Sequence, residues 1–441
     1  MSEVAKQWWP STIYAAPEET AGPLHIVWIN KSGSADPYVT VTMADTLQYS
    51  YDNANWVNTS SANISGQQMD GSSEYHVYIR RRPDLEPTTV LFSSESEENA
   101  WNIVGGQARL SGNIMSLLGQ DEEIGNYAFA LLFGNNSNLI DASGLEMPAM
   151  ELAANCYAYM FADCTALTAG PALPATTLAN SCYSSMFYNC AALTSVPVLP
   201  AMALAVQCYS SMFSGCAALT SVPDGMLPAT TLSARCYSNM FNGCTALTSI
   251  PALPAMTLAP QCYGGMFAYC TALTDIPAGA LPARELANLC YFSMFTGCTS
   301  LTTVPELPAT TMATSCYKSM FVNCTSLTSI RQLPETATPT TVMAESCWES
   351  MFENCSGIND TVIIHATVLA TKSCRRMFRG CGKLTQVSFR LATDISAMDA
   401  LDQWLQNTAV GTTGTLYVLS NTLKQWKKDG EVPNNWSIQP I

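Results

Sequence analysis

Between residues 156 and 381 the hydrophobic positions fall into one recurring block: two apolar residues, two outward ones, two apolar, two outward, then one apolar. In the block opening at Cys182 the apolar set is Cys182, Tyr183, Met186, Phe187 and Cys190, with Ser184, Ser185, Tyr188 and Asn189 between. Turned at about 100° per residue, the first five gather on one arc and the other four on the opposite one, so the spacing predicts a short helix with one buried face. The residue before the second cysteine is Asp163, Asn189, Gly215, Gly243, Gly297, Asn323, Asn354 or Gly380, with Tyr269 the exception. Apart from that tyrosine, these types tolerate a left-handed helix end and would stop the helix there. Beyond it, Cys190, Leu193 and Val196 follow at spacing three, then Pro197 and Leu199-Pro200. A proline in a stacked strand leaves a ladder bond unmade, so short strands with proline at the corners are expected.

The block opens at Cys156, Cys182, Cys208, Cys236, Cys262, Cys290 and Cys316, then as Cys347-Trp348 and Cys374-Arg375, and its cysteine pairs account for all 18 cysteines. One such unit cannot bury its own apolar side, so neighbours must stack into a solenoid with helices on one face and strands on the other. The longer coils carry inserts, Asp224-Gly225-Met226 and Ala278-Gly279-Ala280 between the prolines and Glu335 to Thr341 after Leu333-Pro334. Ala128 to Asn136 repeats the block without cysteines, with Ala128 and Asn136 in their places, and predicts a first capping coil. At the other end Met398, Leu401, Trp404 and Leu405 have helical spacing, Leu416 to Leu419 reads as a strand, and Asn421 to Lys428 as a last helix carrying Trp426.

Residues before the array differ. Segments such as His25 to Ile29, Tyr38 to Thr42, Leu47 to Tyr51 and Tyr75 to Ile79 mix β-branched and aromatic residues and are separated by Gly, Ser, Asn and Asp turns. This predicts a small all-β sandwich-like domain. The expected organisation is an N-terminal arm over 1–20, the β-domain over 21–110, a repeat solenoid over 111–390 and a C-terminal cap over 391–441. The fold class is thus an α/β solenoid of about nine cysteine-containing coils plus caps, preceded by the β-domain.

The unit CYxxMFxxCxxLTxxPxLPAxxLA resembles the BspA-type leucine-rich-repeat proteins found in gut bacteria and their phages, over roughly residues 112 to 390. Gly112 to Leu118 is similar to the segment that introduces the array in that group. Tyr51 to Val57 is similar to a hairpin of the β-domain that precedes it. The resemblance implies surface adhesion and partner binding without fixing a ligand.

Charge and chemistry narrow the function. With 19 basic against 34 acidic residues the net charge is -15, which repels nucleic acid and anionic membranes; Arg80, Arg81 and Arg82 read as a solvated strand end. No run is apolar enough over some 18 residues to span a membrane. Residues 1–20 lack the basic start, apolar stretch and cleavage site of a secretory signal, which favours release with a virus particle over export, unless a signal has been removed. Eight residues of helix, about 12 Å, would separate the two cysteines of one coil and exclude a bridge within it; bridges between equivalent cysteines of successive coils require those backbones to come within about 7 Å, closer than helical faces usually pack, so buried thiols are expected. The three histidines, His25, His76 and His365, lack metal-ligand spacing and any visible nucleophile. No cofactor, metal or catalytic residue is therefore assigned, and a hydrolase on a repeat scaffold is a remote alternative.

Binding candidates sit in the outward slots. Tyr159, Tyr188, Tyr269 and Phe292 can anchor a protein or stack on a sugar, and the hydroxyl-rich strand side around Thr194 and Ser195 is a second available face. Trp8 and Trp9 in the arm are candidates for attachment. The resulting expectation is a non-enzymatic recognition protein on a phage virion, tail or capsid surface, oligomeric if virion-borne. Its partners would be a host cell-surface protein or glycan and, through the N-terminal region, neighbouring virion proteins. The alternative is a secreted bacterial cell-surface adhesin.

Overall fold

The computed structural model describes residues 22–441 apart from 93–95, 97–98, 122, 310, 331–332, 334–342, 367, 392–398 and 421–431. The N-terminal residues form two sheets. One has the order β10-β9-β1-β7-β3-β4, from β1 (Leu24–Trp28), β3 (Leu47–Ser50), β4 (Val57–Asn58), β7 (Tyr75–Arg81), β9 (Ala108–Asn113) and β10 (Leu139–Glu146), with β6 (Gln67–Gln68) beside β7. The other has the order β5-β2-β8, from β2 (Tyr38–Thr40), β5 (Asn63–Ser65) and β8 (Asn102–Val104). Alternation drives this: in β1 Leu24, Ile26 and Trp28 are fully buried while His25 and Val27 are only partly so. The expected division after residue 110 falls inside β9, and β10 runs parallel to β9, so one sheet continues into the repeat array. The hairpin between β3 and β4 turns on Asp52, whose Oδ1 accepts the N–H groups of Ala54 and Asn55 at 2.9 and 2.7 Å.

The array is built without the expected helices. Among the described residues there is no α-helix, only two 3₁₀ turns at Ala44–Thr46 and Ile114–Leu117. Each Cys-Tyr-x-x-Met-Phe-x-x-Cys block is a ribbon of consecutive turns with a period of four residues. Ser181, Ser185 and Asn189 have φ of 55°, 54° and 55°, and the matching three residues of every other coil are left-handed too. The N–H of Ser184, Met186, Tyr188 and Cys190 each bonds three residues back within the coil. The N–H groups between them leave the coil: Ser181 donates to Val206, Tyr183 to Cys208, Ser185 to Ser210, Phe187 to Met212 and Asn189 to Ser214. A left-handed residue every fourth position lets alternate N–H groups point along the stack, which an α-helix cannot do because all of its N–H groups lie along its own axis. Over nine residues a period of 3.6 and one of 4 select the same inward side chains, which is why the pattern read as helical.

Those side chains form ladders. Tyr157, Tyr183, Tyr209, Tyr237, Tyr263, Tyr291 and Tyr317 stack with ring centroids 5.5 to 5.9 Å apart. Beside them Phe133 to Phe378 stack at 5.4 to 5.8 Å, one ring per coil. The ninth cysteine-containing coil is in a different register from the one its cysteines suggest. Trp348 N–H bonds to Ser373 O, where the equivalent bonds of the preceding coils reach a first cysteine, so Ser373 takes the first-cysteine place and Cys374 the tyrosine place.

On the opposite side the prolines leave only isolated bridges, such as Ala203 with Thr231 and Thr257 with Glu285. Toward the C-terminal end, where proline falls only at the last residue of an edge strand, the bridges lengthen into the parallel sheet β11 (Val362–Ala366), β12 (Gln386–Leu391), β13 (Gly414–Val418) and β14 (Trp436–Pro440). The cap segment also follows the four-residue period rather than a helical one, with left-handed Asp399, Gln403 and Asn407; Met398 and the expected helix over 421–428 lie outside the described residues.

Both sheets of the β-domain connect to the array through its first coil. Trp101 N–H bonds Leu132 O at 2.8 Å and Leu91 N–H bonds Ala128 O at 3.2 Å, the same bonds that a Phe and a Tyr make from coil to coil. Trp101 therefore stands where the phenylalanine of a preceding coil would be.

Candidate functional site

The inward and outward slots of the ribbon have different chemistry. Inward, all 18 cysteines are buried free thiols. The second-position thiols donate to the phenylalanine carbonyl of the preceding coil, as Cys190 to Phe161 O at 3.0 Å and Cys381 to Phe352 O at 3.1 Å. Burial pushes the Cys164 and Cys244 thiols up to about 12, and Cys324 is raised by its hydrogen bond with Cys355 and then by burial. They are therefore poor nucleophiles. The expected separation of neighbouring coils by helix packing does not hold, since adjacent coils are joined directly by backbone hydrogen bonds.

Outward, the slots change from coil to coil, and the four aromatic candidates are distributed unevenly. Tyr159 is half-buried and left-handed in the first cysteine coil, and Tyr188 is exposed in the second. Neither reaches the other pair. Tyr269, 52% exposed, and half-buried Phe292 lie on adjacent coils and line one depression of about 150 Å³ with Asn239, Asn242 and Gln261. Its floor is Gly264 and Gly265. The tyrosine leans over Gly297 of the next coil, where a Cβ would come within 2.6 Å of its ring. Asn239 leans likewise over Gly265, and its Oδ1 is 3.4 Å from Asn242 Nδ2. The glycine pair and the two asparagines were not singled out from sequence, although Gly-Gly in these slots occurs in this coil alone. A larger depression of about 1000 Å³ at the C-terminal end is lined by Gln403, Asn407, Val410 and Asn435, with none of the aromatic candidates.

Trp8 and Trp9 lie outside the described residues. Arg80 packs over the Trp56 ring at 3.9 Å, Arg81 donates to Glu86 O and Arg82 pairs with Asp84, so all three are used within the β-domain. His25 and His76 lie together on neighbouring strands: their rings meet edge-on at 5.6 Å, and His25 stacks on Tyr78 at 4.0 Å. Burial, then the neighbouring His76, lowers His25 to about 4. Among the described residues no group of three or more His, Cys, Asp or Glu is placed to hold a metal, and no helix is long and apolar enough to cross a membrane.

A rigid stack with a fixed interior and a variable outer ribbon is a repeat scaffold for presenting side chains. The BspA type leucine rich repeat region matches residues 122–274 and 289–399 in six copies, more than half of the chain, and the chain belongs to this family. The family is a surface- and adhesion-type repeat scaffold rather than a known enzyme family. No curated protein and no solved structure matches the chain.

Proposed function

We propose that this is a non-enzymatic recognition protein of a phage virion, tail or capsid surface, whose β-domain attaches it and whose repeat solenoid presents the outer ribbon to a host cell-surface protein or glycan. The observation that carries the reading is the contrast between the two sides of one ribbon. Tyr, Met, Phe and Cys repeat inward, while the slots reaching the surface change from Asn239 to Tyr269, Phe292 and Lys318 within four coils. A scaffold that needed only stability would gain nothing from that variety.

All 18 cysteines are buried within the stack, an arrangement that needs no oxidising compartment for its assembly. The secreted adhesin is the second reading, and it requires the same stack to survive export. The test has two parts. Labelled protein should bind host cells saturably, and antibody against residues 111–390 should decorate purified particles in electron micrographs. Undecorated particles together with labelled bacterial surfaces would replace the virion reading by the adhesin one. Absence of saturable binding to any cell would remove both.

A further inference from the structure

The depression between Tyr269 and Phe292 has the make-up of a single-sugar subsite, and we infer that it binds the terminal neutral pyranose of a host glycan. The inference rests on the recognition reading above and names its ligand class.

Three observations support it. The first is the missing row of side chains. In the two outward slots that hold Gly264 and Gly265, the preceding coil has Ser238 and Asn239 and the following one Phe292 and Ser293. The backbone does not demand glycine in either place. Gly264 is not left-handed, and the left-handed place of Gly265, φ 63°, is filled elsewhere by Ser185, Asn239 and Ser293. A Cβ at Gly265 would run into Asn239 Oδ1 and one at Gly264 would come within 2.8 Å of Gln261 Cγ, so the pair lets these two polar side chains fold over the ribbon as the wall of the depression beside Phe292.

The second is what faces that space. Phe292 and Tyr269 give apolar surface against which the C–H face of a pyranose can lie, and the tyrosine adds a hydroxyl at its tip. Beside them stand the Asn239 and Asn242 amides: Asn242 Nδ2 donates to Asn239 Oδ1 at 3.4 Å and Asn239 Nδ2 to Ser238 Oγ at 3.5 Å, both long contacts, and Asn242 Oδ1 is left to accept. A small number of polar groups set around aromatic surface is the make-up of a small-molecule site.

The third is charge. The lining holds no acidic and no basic side chain; the nearest charge named here, exposed Arg235, lies outside the lining and donates its Nε to Gln261 Oε1 at 2.8 Å. Recognition by the lining itself therefore rests on neutral polar and aromatic groups. The volume of about 150 Å³ admits one ring and leaves the rest of a glycan outside.

Saturation-transfer NMR on the full chain tests this with methyl glucoside, methyl galactoside, methyl mannoside and N-acetylglucosamine as neutral probes, and glucuronate and N-acetylneuraminate as charged ones. At least one neutral probe should give a signal that falls fivefold or more in Tyr269→Ala and in Gly264→Phe. The second variant fills the space with the side chain already tolerated one coil on, and unchanged thermal melting of both variants separates loss of the site from loss of the fold. No signal from any neutral probe, a signal that survives Gly264→Phe, or a stronger signal from the charged probes would overturn the inference. Host-cell binding by the unmodified chain in the absence of any sugar signal would retire the subsite while leaving the recognition reading in place.

Discussion

Asn136 Nδ2 donates to Trp101 O at 2.7 Å, and this bond joins the β-domain to the repeat array. Asn136 occupies the second-cysteine place of the first coil, and Trp101 the phenylalanine place of the layer before it. The amide thus repeats the thiol-to-carbonyl bond of every later coil and adds one that a thiol cannot make, accepting Ile103 N–H at 2.7 Å. Asn136→Ala leaves both buried backbone groups unpaired and should destabilise the protein by about 2–4 kcal/mol in urea unfolding. Asn136→Cys should recover part of that loss.

The turn ribbon and an α-helix make opposite predictions at two adjacent serines. Ser211 has φ 53°, whereas its neighbour Ser210 is not left-handed. A β-branched residue is strained in the left-handed region, so Ser211→Val should cost about 1–2 kcal/mol and Ser210→Val much less. On a helix the two would cost about the same. Far-UV circular dichroism of the intact protein should lack the 222 nm helical minimum.

Phe213 stacks between Phe187 and Phe241 at 5.5 and 5.7 Å and is fully buried. Truncation to Ala should cost about 3–5 kcal/mol. Because each coil contacts only its neighbours, the damage should divide the unfolding transition in two, visible as separate steps in a denaturant titration followed by hydrogen exchange.

The thiols should be silent in the native protein. With all 18 cysteines buried, dithiodipyridine at pH 8 should titrate close to none before unfolding and all of them in guanidinium. Rapid reaction of several thiols in the native state would contradict the ladder packing.

The histidine pair makes the β-domain acid-sensitive. His25, facing His76 and Tyr78 on β7 and Ser111 on β9, falls from an ordinary value of 6.5 to about 4 when folded. The unfolded chain therefore takes up the proton first. Stability is full above pH 6.5 and is lost as pH falls from there toward 4, by about 1–2 kcal/mol once the partial exposure of the ring is allowed for. His25→Phe should flatten the melting profile of the protein over that window.

The repeat, its inward residues, the cysteine-free first coil and the β-strands of the N-terminal domain were legible from spacing alone. The kind of coil was not, because side-chain pattern reports which residues turn inward and is nearly blind to where the backbone N–H groups go. One clue was present: the residue before the second cysteine, such as Asn189, is a left-handed type, and Ser185 and Ser181, four and eight residues earlier, are small enough to share that conformation. The register of the ninth coil was also readable, since Cys374 and Cys381 are one residue closer together than every other pair. At the candidate site Tyr269 and Phe292 could be named individually, but their convergence depended on coil spacing and on the two glycines between them.

The alternating N–H pattern also gives the array a constant step. Each coil passes its neighbour the same row of donors and receives the same row of acceptors, so inserting or deleting one whole coil leaves both ends chemically unchanged. A duplication of the 26 residues from Cys182 to Gln207 would lengthen the array by about one ring spacing, near 5.5 Å, without a new joint. The distance between the β-domain and any outward residue can thus be set like the length of a ruler, independently of what that residue binds.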